Sequence, residues 1–132
     1  MSYPRHVNED SYTLLNLPGI ESALARVEEE LRIAVKADEP LLTKLSRHLI
    51  DAGGKRIRPS LAIASSQILE DKPVAPSREV ILGGVAVELV HQGSLYHDDV
   101  MDGAKTRRNV KSVNEEWGNH EAILGGDYLL AR

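Results

Sequence analysis

Apolar residues recur at helical spacing along most of the chain. Ile20, Leu24, Val27, Leu31 and Val35 form one stripe, with Glu28, Glu29, Glu30 and Arg32 between them. Residues three and four apart share a helix face, so this stretch reads as an amphipathic helix with a solvated charged side. Asp38-Glu39-Pro40 reads as the next helix start, with proline at the first helical position, where its missing N–H leaves no bond unmade. That helix carries Leu41, Leu42, Leu45, Leu49 and Ile50, and Gly53 suits a left-handed C-terminal cap. A third helix is expected to open at Pro59 and to carry Leu61, Ile63, Ala64, Ile68 and Leu69. Asp71 to Pro76 contains two prolines and reads as a loop. Ser77 is the expected N-cap of a fourth helix, from about Arg78 to Asp102, stopped by Gly103.

Residues 103–112 are polar and basic and read as a loop. A short turn of helix near Val113–Trp117 should end at Gly118, with Asn119 capping a last helix that carries Ile123, Leu124, Leu129 and Leu130. That helix is still in register at Arg132, without Gly, Asn or Pro to close it, so the sequence is expected to be part of a longer one. No stretch sustains the alternation of a strand, and the expected fold class is all-α. Residues 1–18 show no clean period before the Pro18-Gly19 turn and read as a partly ordered arm; residues 19–132 read as one helical portion.

Composition narrows the function. Of 132 residues, 42% are hydrophobic and 27% charged, enough for one small domain with a core. Phe is absent and there is one Trp, so that core is aliphatic. A net charge of -4 gives no electrostatic case for nucleic acid. The absence of cysteine excludes disulfides, thiol catalysis and Cys-ligated zinc. No segment approaches the roughly 20 apolar residues of a membrane span. Met1 to Pro18 lacks the pattern of a secretory signal, so a cytoplasmic location is the default.

Two stretches carry chemistry. His97-Asp98-Asp99-Val100-Met101-Asp102-Gly103 sets three carboxylates within five residues at a helix end, and Arg107-Arg108 follows. Asp98 and Asp102, four apart, share a face, and Asp99 is turned about 100° away. Like charges beside the negative end of a helix dipole call for a cation, and hard oxygen ligands suit Mg²⁺. A solvated acidic helix end fits the spacing equally well. Paired guanidiniums offer planar forks to phosphate, or merely balance the aspartates.

Gly53-Gly54-Lys55-Arg56-Ile57-Arg58-Pro59 is the second stretch. Its glycines admit close backbone approach by an anion, and its cations flank a helix start. It is not a Walker loop, because Lys55 is not followed by Ser or Thr. The competing reading is a glycine cap with a solvated basic loop. His91 lies two turns before Asp98 on the same face. His97 beside Asp98 leaves open an HD-type metal-dependent phosphohydrolase.

In combination, GGKRIRP, a helix ending in HDDVMD, Arg-Arg five residues on, and GNHEAILGGDYLLAR resemble the trans-type polyprenyl diphosphate synthases. The resemblance covers roughly Leu41 to Arg132. It implies an isoprenoid-synthase-type helical bundle around a deep cavity, a homodimer when full length, of which this chain supplies the N-terminal helices. The implied reaction adds isopentenyl diphosphate head-to-tail to an allylic prenyl diphosphate with Mg²⁺ as cofactor. The resemblance also implies a product that associates with membranes, with no transmembrane segment in the chain. By the same resemblance Asp98 and Asp102 are metal ligands, Asp99 supports them, and Arg107 contacts the allylic diphosphate. Lys55, Arg58, His91 and Arg108 hold the diphosphate of isopentenyl diphosphate.

The family's second aspartate-rich motif is absent from these 132 residues. The chain is therefore expected to be inactive by itself. Small residues at Gly93 and Ser94, just before the motif, where short-chain members carry an aromatic, imply a medium- or long-chain product. The remaining alternative is a non-catalytic diphosphate-binding partner subunit, against which the intact DDVMD and Arg-Arg argue.

Overall fold

A computed structural model describes residues 16–132, so the expected arm falls almost wholly outside the described residues. Six helices and one two-stranded hairpin follow in order: α1 Ile20–Ala34, α2 Pro40–Asp51, α3 Ile57–Gln67, α4 Arg78–Asp102, β1 Thr106–Arg107, β2 Val110–Lys111, α5 Val113–Trp117 and α6 Asn119–Leu130. The helical class expected from the patterning holds.

Local chemistry sets the boundaries. Pro40 opens α2, and the Glu39 side chain accepts from Leu41 N at 3.3 Å. Ser77 Oγ accepts from Val80 N at the start of α4, and Ser112 Oγ caps α5 in the same way. Gly103 ends α4 in the left-handed conformation, φ 60. Each side chain satisfies donors that a bare helix end leaves orphaned.

Packing is arranged around α4, which lies against α1, α3 and α6. The stripe Ile20, Val27, Leu31 and Val35 is buried, together with Leu45, Leu49 and Ile50 of α2 and Ile81, Val85, Leu89 and Tyr96 of α4. Tyr96 is the one aromatic at the centre, and its hydroxyl donates to Leu45 O at 2.5 Å. Burial pushes that phenol well above its ordinary range.

Several sequence expectations are corrected. α3 starts at Ile57 rather than Pro59, because Arg56 (φ 48) turns the chain into the helix. It ends at Gln67, leaving Ile68 and Leu69 exposed, so their helical spacing has no packing counterpart. Asn119 is the first residue of α6 rather than its cap. Residues 103–112 contain a hairpin instead of a loop. Thr106 pairs with Lys111 and Arg107 with Val110, and the turn residues Arg108 and Asn109 have φ of 52 and 62. Two left-handed residues in a two-residue connection match the twist of a hairpin. Two-residue strands are too short to show alternation.

Candidate diphosphate and metal site

The last turns of α4 divide the three aspartates. Asp98 and Asp102 are exposed, whereas Asp99 is buried. Asp99 accepts from Arg107: Nη2 donates to Oδ1 at 2.7 Å, and Nε reaches the two oxygens at 2.9 and 3.0 Å. This fork holds Arg107 ionised, with Asp98 and Asp102 adding to the field on it. The end of α4 is also tied down from below. Asn114 Nδ2 donates to Ala104 O at 2.8 Å and Ser112 Oγ donates to the same oxygen at 2.7 Å. Asp98 and Asp102 therefore stand on a braced helix end.

Two free carboxylates at i, i+4 fit a hard cation that keeps most of its waters, as Mg²⁺ does. Among the described residues no group of three or more His, Asp or Glu side chains comes together as a complete metal cage. The donor set among the described residues is thus two carboxylates and not a closed cage.

The basic loop lies near the hairpin. Gly53 and Gly54 have φ of 88 and 145, conformations that favour glycine. Arg108, the other member of the arginine pair, turns away from Arg107 and donates through Nη1 to Leu49 O at 2.6 Å and to Gly53 O at 2.5 Å. Its pKa is lowered by burial first and then by the neighbouring Arg56. Lys55 and Arg58 are exposed and make no hydrogen bond or ion pair with the described residues. Arg56 is buried at 6% exposure and bonds to Glu28 and Glu88. Sequence reasoning did not single out Arg56. The available signal was Glu88, a carboxylate inside the apolar run from Val85 to Val90; a buried charge there requires a partner.

Between α3 and α4 runs a groove of about 710 Å³, lined by Arg58, Leu61, Ala62 and Ser65 on one side and Ala86, Val87, Val90, His91 and Ser94 on the other. Along α4 the polar members occupy the end nearer Asp98, which lies one turn beyond Ser94 on the same face. His91 is held toward its neutral form, by burial first and then by Arg58, with Arg108 and Arg107 adding and Glu88 opposing. Arg58, His91, Arg107 and Arg108 therefore share one field.

Two expected positions fall elsewhere. Gly93 faces α6 instead of the groove. A Cβ there would lie 2.9 Å from Leu130 Cγ and 3.0 Å from Gly126 O. Its smallness permits a close helix crossing. His97 does not form a dyad with Asp98. Its Nε2 approaches Asp127 Oδ1 at 3.1 Å and Ile123 O at 3.2 Å, both on α6.

The helices carry an acidic helix end, two braced arginines and an apolar groove. The chain belongs to the polyprenyl synthetase family, whose model matches residues 39–132. It is 41% identical over 112 residues to the nonaprenyl diphosphate synthase of Mycobacterium tuberculosis, covering 85% of this chain and 32% of that protein. The crystal structure of the heptaprenyl diphosphate synthase from Staphylococcus aureus superposes with a TM-score of 0.79 at 38% identity, covering 85% of this chain and 35% of that one. A polyprenyl synthase from Caulobacter crescentus, complexed with calcium and isoprenyl diphosphate, superposes with a TM-score of 0.77 at 33% identity, over 84% of this chain and 33% of that one. The chain spans about a third of the length of the curated relatives it matches.

Proposed function

We propose that this chain provides the substrate-holding wall of a prenyltransferase that adds isopentenyl diphosphate head-to-tail to an allylic diphosphate. The observation that carries the reading is the division of labour at the end of α4. Asp99 is consumed in holding Arg107, while Asp98 and Asp102 stay free beside an apolar groove. Asp99 takes the Nε and Nη2 edge of the Arg107 guanidinium, so Nη1 is left to meet a phosphate oxygen of the allylic diphosphate. Lys55, Arg58 and His91 offer donors to the diphosphate of isopentenyl diphosphate, and Arg108 fixes their loop from behind through Gly53 O. Asp98 and Asp102 would hold Mg²⁺, which when bound offsets the charge of the leaving diphosphate. The groove residues Leu61, Val87 and Val90 take the growing tail and keep water from it.

Small side chains at Ser94 and Ala86 leave the groove open along α4, which supports a medium- or long-chain product. With one wall of carboxylates, the 132 residues alone hold diphosphate without turnover. Exposed Ile123 and Leu124 on α6 are apolar surface that a homodimer would cover. The proposed location is cytoplasmic; no helix among the described residues is long and apolar enough to cross a membrane. The phosphohydrolase alternative loses its dyad, since His97 is engaged by α6.

A chimera tests the proposal. Residues 39–132 replace the matching segment of the Mycobacterium tuberculosis relative, and the purified protein is given Mg²⁺, an allylic diphosphate and labelled isopentenyl diphosphate. Elongation is expected, and its loss on Asp98→Ala. A folded chimera that only releases phosphate, or that does neither, would sink the assignment.

A further inference from the structure

We infer that Arg56 is a positioning residue that sets the diphosphate-binding conformation of the Lys55–Arg58 loop without touching substrate. The inference rests on the proposed reading of Lys55 and Arg58 as diphosphate ligands.

Arg56 sits between those two exposed cations yet points the opposite way. Its guanidinium enters the interface of α1, α2 and α4, where all three nitrogens are engaged. Nε and Nη2 pair with the Glu28 carboxylate of α1, Nη2 at 3.2 Å. Nη2 also donates to Ile50 O at 3.1 Å, while Nη1 donates to Gly53 O at 3.1 Å and reaches Glu88 Oε1 of α4 at 3.5 Å. Gln92 Nε2 in turn donates to Glu88 Oε1 at 2.6 Å, which fixes that carboxylate. The side chain is thus tied to α1 and α4 and, through Ile50 O and Gly53 O, to the end of α2 and the start of the loop that follows it.

The backbone records the consequence. Arg56 has φ 48, a left-handed conformation that a long side chain adopts only when its surroundings enforce it. That residue is the N-cap of α3, since Ser60 N donates to Arg56 O at 3.0 Å. With Arg56 turned inward, Lys55 and Arg58 on either side are left exposed, and Arg58 lines the groove with His91. Gly54 keeps the room this needs, because a Cβ there would stand 2.7 Å from Arg56 Nη1 and 3.1 Å from Arg108 Cζ. Arg56 and Arg108 converge on one acceptor, Gly53 O, so the loop is held by two forks at one point. A lysine at 56 keeps the charge but has no planar fork and cannot serve both carboxylates and the carbonyls.

The test measures binding of inorganic diphosphate to the 132-residue chain by calorimetry, with EDTA present so that only the basic loop is probed. The same titration is followed by amide NMR of residues 53–58. Lys55→Ala/Arg58→Ala is the control for the underlying reading. If that variant binds as the wild type does, the ligand assignment fails and the inference falls with it.

Given that control, Arg56→Lys should weaken binding about tenfold and shift the Gly54 and Arg58 amides, with the Tyr96 and Trp117 ring resonances unmoved. A merely structural role would leave the affinity unchanged in a folded variant, and that result overturns the proposal. Should Arg56→Lys fail to fold, Glu88→Gln carries the test. It keeps an oxygen acceptor and removes one charge, and a several-fold loss of affinity supports the inference whereas wild-type affinity overturns it.

Discussion

At the scale of single residues, adjacent side chains with the same chemistry have opposite fates. Arg107 is gripped by Asp99 and remains partly exposed, while Arg108 is drawn into the α2 end. Asp98 faces solvent and Asp99 is buried. His91 has its pKa lowered by burial and by Arg58, so it should titrate below its ordinary value of about 6.5. In that window the unfolded chain binds more protons than the folded one. Stability is therefore complete above the unfolded pKa and falls as pH drops through it. An NMR titration of the His91 ring should show the low midpoint, and added diphosphate should raise it, because an anion favours imidazolium. Gly54→Ala should cost about 1–3 kcal/mol in urea unfolding, from a forced left-handed alanine and the contact with Arg56; a loss below the error of the melt would contradict the crowding seen there.

At the scale of elements, the hairpin and the α4–α6 crossing matter most. The hairpin carries Arg107 to the acidic helix end and Arg108 to the basic loop, so the two are tied through six residues of chain. Asp99→Asn should keep the shape of the site but weaken the fork to Arg107, destabilising by about 1–3 kcal/mol because the pair is only partly buried. Chemical denaturation measures this. The α4–α6 crossing depends on Gly93 and Gly126. Gly93→Ala is expected to lower stability by about 1–3 kcal/mol, since Leu130 and the Gly126 carbonyl occupy the space of its Cβ. Ser94→Ala, on the exposed groove side, should be nearly neutral, within about 0.5 kcal/mol. Thermal melts of both variants side by side check the assignment of faces.

At the scale of the molecule, the groove is built by α3 on one side and α4 on the other. Arg58 and His91 face it from the two sides near the acidic end, and its remaining length is apolar or small. In the chimera, Val90→Phe should shorten the prenyl product by filling the groove, whereas Gly93→Phe should instead disrupt the α4–α6 contact. Product analysis by chromatography separates the two; an unshortened product from a folded Val90→Phe protein would remove Val90 from the tail path.

Helix existence and most boundaries were legible in the sequence because they are local matters. Apolar spacing, Pro40, Ser77 and Gly103 act through neighbours within four residues along the chain. The acidic and basic motifs were legible for the same reason: their spacing on one helix or loop already limits what they can hold. Which face each residue serves was decided only by tertiary contacts. Gly93 and Ser94 look alike as small residues, but α6 covers one and leaves the other open. Ile68 and Leu69 keep helical spacing yet find nothing to pack against. The hairpin stayed hidden because two-residue strands carry no period, and its turn uses Arg108 where glycine or asparagine would have signalled it. Arg56 was read as one more loop cation; only the fold brings Glu28 and Glu88, 28 and 32 residues away, to its guanidinium.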